Sequence, residues 1–156
     1  MAKQFGSLVG TPRQANHLVG MGYEKCTDHI IVRDKVLLAA AAADTVQCCL
    51  VGWESILSPG SKFWFDDLGT GGTVSLGDVT YPNALANAVN TDSAAGSSDA
   101  LAAVAPANYF KPLWQMLGYA TLAAAQAVGA QCEMLFTRNT AAGAGNMAWQ
   151  ITGQPR

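Results

Sequence analysis

Charge is what this chain has least of. Its 156 residues hold nine Lys and Arg against eleven Asp and Glu, so 13% are charged and the net charge is −2 at pH 7. A soluble domain typically carries about 25% charged residues. A small monomer uses charge to cover its surface and stay apart from its neighbours. So sparse a complement points to a surface covered by other protein, because interface centres are depleted in charge. The alternative is a small monomer clad in neutral Ser, Thr and Asn. No basic tract and no interleaving of basic with aromatic residues occurs, which removes the usual footprint of a nucleic-acid binder. Long apolar runs are missing too. The most apolar stretch, residues 36–53, is interrupted by Asp44, Thr45 and Gln47, and a membrane span needs roughly 20 predominantly apolar residues. The first ten residues lack the charged start and apolar centre of a secretory signal. The expectation is a soluble protein made in a host cytoplasm, with neither nucleic acid nor membrane as a partner.

Residues for chemistry are scarce as well. The only histidines are His17 and His29, and nucleophilic catalysis needs a nucleophile, a base and an orienting group together. No Gly-x-Ser-x-Gly elbow occurs. The four cysteines, Cys26, Cys48, Cys49 and Cys132, have no framework spacing. Cys26 and His29 make one C-x-x-H fragment without the second pair that structural zinc usually takes. The cysteines read as buried free thiols, with adjacent Cys48 and Cys49 on opposite faces of a strand. The run from Gly69 to Gly72 lacks the Lys-Ser/Thr of a phosphate loop, and a hairpin turn explains it. Asp66, Asp67 and Asp78 flank that turn without calcium-loop spacing, and read as solvated loop carboxylates. The reading is a non-enzyme with no cofactor and no metal.

What the chain does have is alternation. Residues 45–51, 62–66, 73–76, 131–137 and 147–152 each alternate apolar with polar side chains, the pattern of half-buried strands. On 45–51, Val46, Cys48 and Leu50 share one face. Phe63 and Phe65 share another, which puts Trp64 on the outside or under a partner; of the aromatics Trp53, Trp114, Trp149, Phe63, Phe65, Tyr109 and Phe110, most read as core. Gly and Pro clusters at 58–60, 68–72 and 143–146 separate these runs. The alanine runs 39–43 and 123–130 allow a helix at either place. Residues 84–108 read as a long irregular connection with a helical turn at 84–89. The fold class is all-β: a β-sandwich or jelly-roll-like domain over 34–156 with an extended N-terminal arm over 1–33.

The arm has glycines and Pro12 but no period, and its apolar side chains suit anchors on a partner surface. Phe5, Arg13 and Tyr23 in the arm, with Trp64 in the domain, are the candidate partner-binding residues.

The segment 61–69 (Ser-Lys-Phe-Trp-Phe-Asp-Asp-Leu-Gly), followed at 72–79 by a Thr-x-x-x-Gly-Asp strand, resembles a pattern of bacteriophage virion structural proteins of the small β-sandwich type. Residues 111–119 and 145–151 fit the same type, and the resemblance covers roughly 35–153. It implies a β-sandwich bound in many copies to a capsid or tail, with no enzymatic activity and no catalytic residues to carry over. The function expected is that of a capsid decoration, or cement, protein on the head surface of the virion. Its partners would be the major capsid protein and copies of itself, in a homo-oligomer such as a trimer. The alternatives are a minor tail, head-fibre or connector protein, a carbohydrate-binding β-sandwich module, and a small hydrolase.

Overall fold

The computed structural model describes residues 3–5, 29–38, 45–92, 94–140 and 143–156. Two sheets account for most of them. The first has the order β1-β3-β9-β6-β7, formed by β1 (Lys3–Phe5), β3 (Thr45–Val51), β9 (Cys132–Thr140), β6 (Thr73–Gly77) and β7 (Ala86–Asn90). The second has the order β2-β10-β5-β8, formed by β2 (His29–Leu38), β10 (Gly145–Gln154), β5 (Lys62–Phe65) and β8 (Gly96–Asp99). The short β4 (Ile56–Leu57) pairs with the far end of β10. All pairings are antiparallel except β1 with β3, where Phe5 stands beside Gln47.

The alternation in the sequence becomes the two faces of each sheet. On β10, Met147, Trp149 and Ile151 are buried while Asn146, Gln150 and Thr152 face outward. On β5, Phe63 and Phe65 are buried and Lys62 and Trp64 are exposed. The two inner faces meet across a shared core. The Phe136 ring of β9 lies 5.2 Å from Phe63 and 5.4 Å from Trp149 of the opposite sheet. The Trp149 indole Nε1 donates to the Cys48 carbonyl at 3.2 Å, so the one polar atom of that ring is satisfied where water is excluded. The architecture is an all-β sandwich. Fully burying each such ring stabilises it by roughly 1.5–3 kcal/mol.

Two short helices close one end. α1 (Leu113–Leu117) ends at Gly118, whose φ of 102° is open to glycine. α2 (Leu122–Gln126) falls in the second alanine run and is capped by Thr121, whose hydroxyl accepts from the Ala124 N–H. The first alanine run, 39–43, lies outside the described residues.

Several expectations need correction. Residues 84–108 are not an irregular connection with a helical turn: they carry β7 and β8, with a 3-10 turn at Pro106–Asn108. Their small, polar, exposed side chains give no period, and main-chain pairing alone makes them strands. Gly96 on β8 lies under the Phe65 ring, where a Cβ would sit 3.1 Å from the ring edge. The run 69–72 does form a tight turn, with Gly72 N–H on the Gly69 carbonyl at 2.8 Å. It is not a hairpin, because β5 and β6 belong to different sheets. Pairing on β3 shifts between Gln47 and Cys49. That bulge turns both Cys48 and Cys49 into the core rather than to opposite faces, and turns Leu50 outward, away from the face of Val46. Finally, β2 begins at His29, so residues 29–33 belong to a sheet.

Candidate functional site

The outer face of the second sheet presents Trp64. Its side chain is 43% exposed. Its cross-strand neighbours are Ala148 on β10 and Ser97 on β8, and neither is long enough to cover an indole. Two hydrogen-bonded pairs and one ion pair surround it. Arg33 donates from Nε and Nη2 to Gln150 Oε1 at 3.0 and 2.6 Å. Lys62 pairs with Asp99 at 3.7 Å. Asp66 Oδ2 accepts from the Asn146 backbone N–H and side-chain amide, each at 2.8 Å. Those bonds, the backbone one first, hold the Asp66 carboxyl below its usual range. Leu37, 67% exposed, stands on β2 of the same face.

A second surface lies on the outer side of the first sheet. A groove of about 530 Å3 opens between β3, β9 and the loops around Val79 and Val128. Three large hydrophobic side chains line it in the open: Leu50, Val79 and Val128, at 40, 68 and 44% exposure. The Gln47 side chain also lines it. That residue is only 6% exposed. Both charged residues that line the groove are acidic, Asp78 and Glu133.

The walls are held from behind. Trp53 Nε1 donates to the Gly129 carbonyl at 2.8 Å. Asp78 follows β6 and is buried. Its Oδ1 accepts from the Thr80 and Tyr81 N–H groups at 3.1 and 2.6 Å, which fixes the turn that presents Val79. Its Oδ2 accepts from the Tyr119 hydroxyl at 2.5 Å. Burial, and then that hydrogen bond, push the Tyr119 phenol up to about 12. The Tyr119 ring packs edge-on against Tyr81 and Trp53. Cys132, buried nearby, is pushed well up by burial and then by the Asp78 charge, so it is not a thiolate nucleophile. Burial does the same to Cys48.

Among the candidates from the sequence, Trp64 is on the surface, and Phe5 ends β1 at the edge of the first sheet. Arg13, Tyr23, Cys26 and His17 lie outside the described residues. The structure does not bring Trp64 and β1 together: they are on different sheets. Asp78 is not the solvated loop carboxylate expected but a buried anchor. Strict alternation puts Leu50 on the face of Val46, and only the bulge on β3 turns it out into the groove. One signal was available: Gly77-Asp78 followed by Thr80 and Tyr81 is an Asx-turn sequence. Among the described residues no three of His, Cys, Asp and Glu are placed to hold a metal ion, and no helix is long and apolar enough to cross a membrane. Compared with known proteins, the chain matches no family model, no curated sequence and no solved structure.

Proposed function

We propose that this protein is a structural component of a bacteriophage particle, a decoration protein that binds the major capsid protein at the head surface. The observation that carries the reading is the placement of its exposed apolar side chains. Leu37 and Trp64 are on the outer face of one sheet, and Leu50, Val79 and Val128 are around a groove on the outer side of the other. Clustered exposed hydrophobics mark contact surfaces. Two such surfaces on opposite sides of one small domain suit a clamp that touches two neighbours at once. Each contact is modest, and joint engagement raises the effective affinity. The low charge of the chain and the resemblance of segments 61–69 and 72–79 to virion proteins support the same reading.

A second reading, a carbohydrate-binding module, is favoured by one feature: the Trp64 ring, flanked by Ala148 and Ser97 and ringed by Arg33, Gln150 and Asn146, offers a stacking platform with fixed polar partners. Co-sedimentation of the full chain with undecorated heads, beside a glycan array, separates the two. Saturable pelleting with heads and no glycan signal is the expected result. A glycan signal without pelleting overturns the decoration reading.

A further inference from the structure

An open sheet has two edges, and among the described residues this sandwich leaves four. An edge presents N–H and C=O groups that a further strand can take up, and proteins blunt such edges with charges, bulges or short strands. Three of the four are blunted. β1 is only three residues long. β7 is bulged: Asn87 and Ala88 stand opposite Ser75, with Ala88 at a φ of 46° and its N–H bonded to Ser75 Oγ at 2.9 Å. On β2, Arg33 and Lys35 are exposed, and Asp34 Oδ1 accepts the Lys35 N–H at 2.8 Å. A second β2 laid antiparallel about its middle would set cations against cations. β8 has none of these defences. Its four residues, Gly-Ser-Ser-Asp, pair with β5 in unbroken register and include no cation and no proline. The Ala100 N–H donates to the Ser61 carbonyl at 2.9 Å. Alternation along the strand then turns the Ser98 main chain toward β5 and the Ser97 main chain away from it. The Ser97 N–H and C=O therefore stand together at the open edge of the second sheet, under an exposed side chain.

We infer that two copies of this chain pair through β8, antiparallel about a two-fold axis at Ser97. A donor and an acceptor on one residue are self-complementary about such an axis: each Ser97 N–H meets the other copy's Ser97 carbonyl. The residues that come together, Gly96, Ser97 and Ser98, are small and uncharged, the reverse of β2. The Trp64 indole belongs to the same arrangement. It stands opposite Ser97 on the outer face and is 43% exposed. Across the axis the two Trp64 positions lie about 14 Å apart, three strand spacings, so the indoles can lean over the serines from either side. The joined outer faces form one wider surface around them. Pairing of this kind closes at two copies. The contact is small, so it is weak in dilute solution and gains where copies are held close together. It does not depend on the decoration reading.

The test is sedimentation of the full chain from about 10 μM to about 1 mM, the range of a weak contact, together with hydrogen exchange of the Ser97 amide. The expected result is a monomer–dimer equilibrium in which Ser97 N–H exchange slows as the dimer forms. Ser97→Lys and Ser97→Glu each put like charges directly opposite one another across the axis, and each alone should weaken the dimer about two- to fivefold. An equimolar mixture of the two variants puts opposite charges there and should restore it. Ser97 is exposed, so both variants keep the fold, and recovery in the mixture cannot come from misfolded protein. A chain that stays monomeric throughout, a trimer, a dimer indifferent to both substitutions, or a mixture no tighter than either variant alone overturns the inference. A monomer that still decorates heads would remove this inference and leave the decoration reading standing. A dimer with the charge-swap behaviour that binds no heads would do the reverse.

Discussion

The Tyr119 hydroxyl donates to Asp78 Oδ2 at 2.5 Å, and both groups are buried. This one bond ties the turn after β6 to the chain between the two helices. Asp78 also receives the Thr80 and Tyr81 N–H groups. Asp78→Ala leaves these donors without their acceptor, at about 1–3 kcal/mol for each buried one. Tyr119→Phe removes a single bond, worth about 1 kcal/mol. Urea unfolding should therefore rank Asp78→Ala as clearly the more damaging, by roughly 2 kcal/mol or more. The opposite order would mean that the ring packing of Tyr119, not the carboxylate, holds the turn.

The same pair sets an alkaline dependence. The Tyr119 phenol is raised from its ordinary value of 10.0 to about 12, so the fold favours its neutral form. Its contribution is complete below about 10 and is lost as pH rises through about 12. Phenolate absorbance of the folded protein should show a step near pH 12 that is absent in Tyr119→Phe. A wild-type curve that Tyr119→Phe merely scales down, without losing a late step, would contradict this.

Much of the sandwich could be read from the chain, and the reason lies in particular strands. β5 and β10 alternate because each has one face on the core, so Phe63 and Trp149 could be placed inside and Trp64 outside. β7 and β8 could not be read, because their residues are small and mostly exposed at sheet edges. There the main chain does the pairing, and side chains leave no trace. The bulge at Cys48 and Cys49 shifts every later side chain on β3 by one face, which is why the outward position of Leu50 could not be anticipated.

The boundary between arm and domain is testable by truncation. β2 starts at His29 and contributes buried Ile31 and Val32. Removing residues 1–28 should keep a cooperative unfolding transition. Removing 1–33 deletes two core side chains, at roughly 2–5 kcal/mol each, and should abolish or broaden it. Equal stability of the two truncations would place β2 outside the stable core.

The two-surface reading predicts how variants combine. Trp64→Ala and Val128→Asp change exposed side chains, so each should shift stability by only about 0.5 kcal/mol. Each should nevertheless weaken binding to undecorated heads at least about tenfold, because losing either contact removes the gain from joint engagement. One variant binding as well as wild type would reduce the protein to a single contact surface.

The most direct measurement is electron cryomicroscopy of heads incubated with the full chain. The account predicts a sandwich-sized density at repeated lattice positions, seated between two capsid subunits, with the Trp64 face on one and the Leu50–Val79–Val128 groove on the other. Bare heads, density confined to the tail, or a domain touching one subunit through one face would contradict it.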